Sequence, residues 1–180
     1  MKPLSQSVPE LTTPRLLLRA FQPTDLADFA DLRADPAVMR YIGTGPRTPA
    51  QTMEALAGLI VQWAQKGYGV WAVSDRATGR FIGECGFYRA TEAGLVELGF
   101  SLATTAWGHG LATEAAAACL EWAWSHLDTM AIDAVTHPDN AGSANVLGKL
   151  GFVLQRDAEF LGQPVQIWQV RLGGNAETVS

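Results

Sequence analysis

From Leu95 to Thr136 the chain reads strand, long helix, strand. Leu111 to Leu127 carries Ala115, Cys119, Ala123 and Leu127 beside Ala116, Leu120 and Trp124, all at spacings of four. That spacing places them on one face of a helix. Leu95 to Leu102 and Ala131 to Thr136 flank it as strands. Two strands joined through a helix of this length are expected to pair in parallel, because a tight turn cannot reverse the chain between them. Any sheet this chain builds therefore contains a parallel step.

The segments before this unit follow a different pattern. Arg15 to Phe21 reads as a strand, and Thr24 as the cap of a helix from Asp25 to about Arg33 that Pro36 stops. A loop rich in Gly and Pro, Tyr41 to Arg47, comes next. Thr48-Pro49-Ala50-Gln51 then combines a cap, a proline at the first helical position and a capping-box glutamine. Met53, Leu56, Ile60 and Trp63 recur at helical spacing and predict one buried face. Tyr68 to Ser74, Phe81 to Ala90 and Leu95 to Leu102 form an antiparallel meander. After the crossover, Asn140 to Leu150 is a short helix closed by Gly151 and Phe152. Phe152 to Gln155 and Val165 to Leu172 are the last strands. An antiparallel front half joined to one crossover is an α+β fold with a mixed sheet of seven strands.

Length and composition narrow the class. The chain has 180 residues, 48% hydrophobic and 17% charged, which suits one folded domain and excludes disorder as the main state. Residues 11–172 are read as that domain, with residues 1–10 and 173–180 as flexible termini. The net charge of −5 argues against nucleic acid as a partner. Cys85 and Cys119 form no disulfide framework, read as small buried hydrophobes, and no Cys/His pair has zinc spacing, so no metal is expected. No secretory signal and no membrane span is recognised, so a reducing, cytoplasmic setting is the expectation.

Trp107-Gly108-His109-Gly110-Leu111-Ala112-Thr113-Glu114-Ala115 joins a strand to the start of the long helix. A helix start offers unpaired N–H groups and partial positive charge, and glycines let a phosphate approach the backbone. A P-loop needs Gly-Lys-Ser/Thr here, and the lysine is absent. A dinucleotide fingerprint needs a small residue where Thr113 stands, and an acid closing the next strand, which Asp133 instead opens. The pyrophosphate arm of coenzyme A is the third reading.

Trp107 to Ala112 resembles the acyl-CoA loop of the GNAT superfamily of acetyltransferases, with Gly110 and Ala112 at its matched positions. The run W-G-x-G-x-A-T-E-A is similar to the Rim-type branch, the ribosomal-protein N-terminal acetyltransferases and relatives. Four more segments resemble that branch in order: Thr13 to Arg19, Asp25-Leu26 with Asp35-Pro36, Glu97 to Phe100, and Asn140 to Ser143 ending in Lys149 to Phe152. The resemblance implies a GNAT-like acyl-CoA acyltransferase fold. Its fourth and fifth strands, here Leu95 to Leu102 and Ala131 to Thr136, would splay around the pantetheine. It implies acetyl-CoA as cosubstrate and transfer of the acetyl group to a primary amine, a protein N-terminus or a small amine.

On that resemblance, Phe100, Ser101 and Leu102 would bond the pantetheine through their backbone. Trp107, Gly108, His109, Gly110, Leu111, Ala112 and Thr113 would cradle the pyrophosphate, and Asn140 and Ser143 from the second motif would contact the cofactor, with a helix N-cap role the alternative for Asn140. Glu97 matches the carboxylate that many GNAT enzymes use as a general base, and it alternates with Leu98 and Phe100. Ser143 is the candidate thiol contact or general acid. Many GNAT enzymes carry a tyrosine four residues before the Gly-Phe pair, where this chain has Leu147. Solvated or ion-paired strand carboxylate remains the alternative for Glu97, and a helix-start serine bonding its own backbone that for Ser143. His137 is a minor alternative base, and His126 suits the end of its helix. Trp71 and Trp168 are read as core or acceptor wall.

The acceptor should enter past the Arg40 to Arg47 loop and the Asp157 to Pro164 connection. Glu84, Glu92, Glu97, Asp157 and Glu159 are expected to make that mouth negative and suited to a cation. Neither membrane nor nucleic acid is expected as a partner, and the chain is read as a monomer or homodimer. Two competing readings are a non-catalytic acyl-CoA sensor on the same fold and a nucleotide-binding α/β domain.

Overall fold

The computed structural model describes residues 8–43, 45–90 and 96–173. Eight strands form one sheet in the order β1-β2-β3-β4-β5-β6-β8-β7. They are β1 (Leu11–Thr12), β2 (Leu16–Arg19), β3 (Val70–Asp75), β4 (Phe81–Ala90), β5 (Val96–Leu102), β6 (Ala131–Thr136), β7 (Val153–Phe160) and β8 (Gln163–Arg171). The helices are α1 (Leu26–Ala34), α2 (Pro36–Met39), α3 (Pro49–Lys66), α4 (Leu111–His126) and α5 (Ala141–Lys149). Every neighbouring pair is antiparallel except β5 and β6, which are parallel across α4. The expected mixed α+β sheet is therefore present, with β1 as one strand more than the sequence showed. Residues 1–7 and 174–180, most of the expected flexible termini, lie outside the described residues.

Strand alternation sends side chains to two cores. Leu16, Leu18, Trp71, Val73, Cys85, Phe87, Leu98 and Ile132 pack with Ala115, Cys119 and Trp122 of α4 and Leu147 of α5. Val70 and Ala72 face the other way, onto Phe29 and Leu32 of α1 and Leu56 of α3. Trp63, Trp71 and Trp122 meet edge to face, with centroids 4.6 to 5.5 Å apart. Cys85 and Cys119 are free and buried, with sulfurs 3.6 Å apart.

Several local expectations change. Asp25, not Thr24, adjoins α1; a 3₁₀ turn at Pro23–Asp25 precedes it, capped by Gln22. Pro36 starts α2 rather than merely ending α1, because proline fits the first helical position. The Thr48 capping box forms as expected, and Gly67 closes α3 in the left-handed conformation. On α3, however, Met53 and Ile60 are exposed, and Thr52, Leu56 and Trp63 are buried. On α4, Trp122 takes the core position expected of Trp124. Gly151 has φ +82°, and the N–H groups of Gly151 and Phe152 bond the Gly148 and Leu147 carbonyls. These two hydrogen bonds end α5, and Phe152 drops into the core. The Asp157 to Pro164 segment is no loose connection: it is the tip of a long β7–β8 hairpin.

Candidate active site at the open end of the parallel strand pair

β5 and β6 pair at only two positions, Glu97 with Asp133 and Leu98 with Ala134. Beyond Leu98 they part. Ala103 N–H donates to the Ile82 carbonyl at 2.8 Å on the β4 side. Backbone polar groups alternate sides along a strand, so those of Phe100 and Leu102 face the opening and those of Ser101 turn to β4. Of the three residues expected to bond pantetheine, two thus present their peptides to the gap. The Trp107 indole N–H donates to the Leu102 carbonyl at 2.7 Å and pins the next loop to it.

That loop starts α4. Gly108 and Gly110 have φ of +77° and +74°, which an L side chain resists. A Cβ on Gly108 would meet nothing within 4 Å, so the glycine is needed for backbone conformation rather than space. Gly110 caps α4 without a side-chain acceptor, which leaves the first-turn amides of Leu111, Ala112 and Thr113 uncapped by any side chain. Arg15 braces the loop: its Nη1 donates to the His109 carbonyl at 2.9 Å. Glu114 answers from the first turn of α4. Its carboxylate accepts from Thr13 Oγ1 at 2.6 Å, Arg15 N at 2.9 Å and Arg15 Nε at 2.7 Å. Desolvation pushes the Glu114 carboxyl up, but these hydrogen bonds and the Arg15 charge outweigh it and hold its pKa low. His109 itself is exposed.

α5 begins at the end of β6. Asn140 accepts from Ser143 N–H through Oδ1 at 3.1 Å, so its side-chain oxygen caps the helix. Ser143 is half-buried, and its hydroxyl makes no hydrogen bond among the described residues.

Glu97 lies on the sheet face opposite Leu98 and Phe100, as alternation predicts. Asp133 stands beside it in register, buried, with Gln169 Nε2 donating to its Oδ1 at 3.0 Å. Tyr88 of β4 shares this face; its ring lies so close over Gly99 that a Cβ there would come within 2.6 Å. Burial pushes the Tyr88 hydroxyl up to about 12, so it stays protonated at neutral pH. Tyr41 stacks on His137 with centroids 5.1 Å apart, which ties the Arg40 to Arg47 loop to the end of β6.

Glu84 does not belong to a negative mouth. It is fully buried, and Arg33 of α1 forms a salt bridge with its Oε1. Glu92 lies outside the described residues, while Asp157 and Glu159 are exposed on β7. Trp71 is core, its indole donating to the Pro9 carbonyl, and Trp168 donates to Thr136 Oγ1. His126 stacks on Trp122. Sequence reasoning missed Arg15, Tyr88 and Asp133 as parts of this region. The available signal for Asp133 was that an acid inside a short apolar strand must find a reason to be buried.

Residues 15–153 match the family model described as Acetyltransferase (GNAT) domain. Protein YkkB of Bacillus subtilis (strain 168) is 33% identical over 168 residues, covering 89% of this chain and 94% of its own. N-acetyltransferase p20 of Bacillus licheniformis is 28% identical over 144 residues, covering 79% of this chain and 81% of its own. The crystal structure of an acetyltransferase from Agrobacterium tumefaciens str. C58 superposes with TM-score 0.82 and 27% identity, over 96% of this chain and 99% of its own. The structure of RimL, a ribosomal L7/L12 alpha-N-protein acetyltransferase, in complex with coenzyme A shares the fold, with TM-score 0.79 and 17% identity, over 91% and 98%. The chain belongs to the GNAT acetyltransferase family. Its class is an acetyl-CoA-dependent N-acetyltransferase. Among the described residues, no group of three His, Cys, Asp or Glu side chains could hold a metal ion, and no helix is long and apolar enough to cross a membrane.

Proposed function

We propose that this chain acetylates a primary amine, a protein N-terminus or a small amine, by direct attack on acetyl-CoA in a ternary complex in the cytoplasm. The observation that carries this is the opening between β5 and β6, with two helix starts near it. The pantetheine runs through the gap against the peptides of Phe100 and Leu102. The pyrophosphate takes the amides of Gly108 to Thr113, and Trp107 and Arg15 hold that loop in shape. Asn140 and Ser143 close the other side.

An alkylammonium has a pKa of about 10 and an α-ammonium about 8, so each must lose a proton before it attacks. Glu97 takes that proton through water. The amine then bonds to the acetyl carbon, the C–S bond breaks, and the thiolate is protonated from Ser143 or water. A Rim-type acceptor, a peptide N-terminus, is supported by the five motifs in register and by the likeness in fold to RimL. Residues 11–172 carry the whole activity.

The test is thiol release from acetyl-CoA with a panel of N-terminal peptides, polyamines and amino acids. Turnover with at least one amine is expected, and Glu97→Gln should keep coenzyme A affinity while kcat falls. Full turnover in Glu97→Gln would remove Glu97 from the mechanism. Binding of ATP or NAD without coenzyme A would select a nucleotide-binding domain instead.

A further inference from the structure

The Arg40 to Arg47 loop is tethered at both ends to the sheet face that carries Glu97. Tyr41 stacks on His137 past the end of β6. At the other end, Arg47 N–H donates to the Arg33 carbonyl in the last turn of α1, at 2.8 Å. Phe87 and Leu98 are register partners and both pack against α4, so their neighbours Tyr88 and Glu97 share the opposite face. Glu84 and Ser101, also register partners, lie on that face too. Arg33 Nε, Glu84 Oε2 and Ser101 Oγ are buried there without a hydrogen-bond partner among the described residues, so the floor of this face is polar.

Most charges near the loop are answered within the chain. Arg33 has Glu84, Asp133 accepts from Gln169, and His137 faces Asp139 at 3.9 Å. Arg40 is exposed and lies over the Tyr41 ring. Arg47 differs. It is half-buried, yet among the described residues its guanidinium makes no ion pair and no hydrogen bond. Its charge acts on both the Tyr88 hydroxyl and the Arg33 guanidinium, which places it close to them. Tyr88 also feels the charge of Glu97, so the candidate base and the unanswered cation lie near one phenol. A guanidinium stays charged at any ordinary pH, and its planar fork of donors fits a carboxylate. With Arg33 balanced by Glu84, one positive charge is left over. One carboxylate cancels it, whereas a phosphate dianion would leave a buried surplus.

We propose that the acceptor is an amine that also carries a carboxylate, and that Arg47 holds this carboxylate while the amine faces Glu97. This rests on the acetyl-transfer reading above and names its substrate class. The carboxylate belongs to a free amino acid, or to an acidic side chain beside a peptide N-terminus. A plain alkylamine or a polyamine offers the guanidinium nothing. The same placement corrects the expectation of a negative mouth: with Glu84 spent on Arg33, the loop brings an unmatched cation to the acceptor side.

The test compares acceptors that differ only in that group. Free amino acids are set against their carboxamides, and peptides with Asp at the second position against the same peptides with Asn. In one arm the acid should be preferred in kcat/KM by about tenfold to a hundredfold, the worth of a hydrogen-bonded charge pair, and that arm names the source of the carboxylate. Arg47→Gln should erase the preference through KM, and Arg47→Lys, which keeps the charge without the fork, should fall between. Calorimetric titration with coenzyme A checks that both variants are folded. Equal use of acids and amides by the native protein, or a preference that survives Arg47→Gln, overturns the proposal. A second measurement needs no turnover. In 15N-labelled protein saturated with coenzyme A, the Arg47 Nε–H signal, assigned through Arg47→Gln, should shift with the acids and not with the amides. No shift with any acid overturns the proposal. A shift with the acids but no acetyl transfer would sink the functional reading alone.

Discussion

Replacing Gly110 by alanine separates backbone strain from ligand contact. Gly110 has φ +74°, and a Cβ there would meet only Arg15 Nη2, at 3.8 Å. Space is therefore not the obstacle. The left-handed conformation costs an alanine about 1–2 kcal/mol, and stiffening of the unfolded chain returns about 0.4–1 kcal/mol. The net destabilisation is about 1 kcal/mol, and for a chain of this size the midpoint should fall by about 2–4 °C. Coenzyme A affinity should suffer more, because under the proposed binding mode the new methyl would stand where the pyrophosphate meets the loop. Loss of one charge-assisted hydrogen bond, about 1.5–3 kcal/mol, weakens binding about tenfold to a hundredfold. Gly67→Ala is the control: its φ is +73°, nothing lies within 4 Å of its Cβ, and it caps α3. Calorimetric titration with coenzyme A and thermal melts of both variants decide the matter. Both should lose similar stability, and only Gly110→Ala should lose affinity. Native affinity in Gly110→Ala, with its midpoint lowered, would show that the phosphates do not sit there.

Arg33→Met leaves Glu84 buried with its ion-pair partner gone and should cost about 3–5 kcal/mol in urea unfolding; adding Glu84→Gln should recover much of it. Glu114 contributes stability that is present above the ordinary glutamate value of 4.5 and lost as pH falls through its lower folded value. Melting curves of the native protein and Glu114→Gln should therefore converge as pH falls below 4.5, and a gap that stays constant would contradict the assignment. Burial raises the Cys119 thiol, so a thiol reagent at pH 8 should label neither cysteine until the protein unfolds. Rapid labelling of the folded protein would refute this.

The parts of the molecule written in local sequence were the legible ones. β4 and β6 run over the expected residues, Phe81 to Ala90 and Ala131 to Thr136, because short apolar runs bounded by turn residues leave little choice. The Thr48 box and Gly151 cap likewise depend on neighbours within a few positions. What escaped depends on distant partners. Glu84 looked like a surface acid because its partner, Arg33, is 51 residues away. Met53 and Ile60 share the spacing of a core face, yet the face that α3 buries carries Thr52, Leu56 and Trp63 instead. The candidate site divides the same way: Glu97, the glycines and Ser143 are visible in motifs. The brace from Arg15 to His109 and the neighbour Asp133 exist only once β2, α4 and β6 come together.

The two-rung contact between β5 and β6 also shapes cooperativity. β1 to β5 form one continuous ladder, and β6, β8 and β7 form another. The main chain joins the two at Glu97–Asp133 and Leu98–Ala134, and a core shared by both blocks with α4 and α5 joins them through side chains. Such a seam is where subglobal opening begins. If the cosubstrate lies in the seam as proposed, it makes the two blocks melt as one, so amide exchange in β6 and β8 should slow when coenzyme A binds, while β3 stays at the global limit.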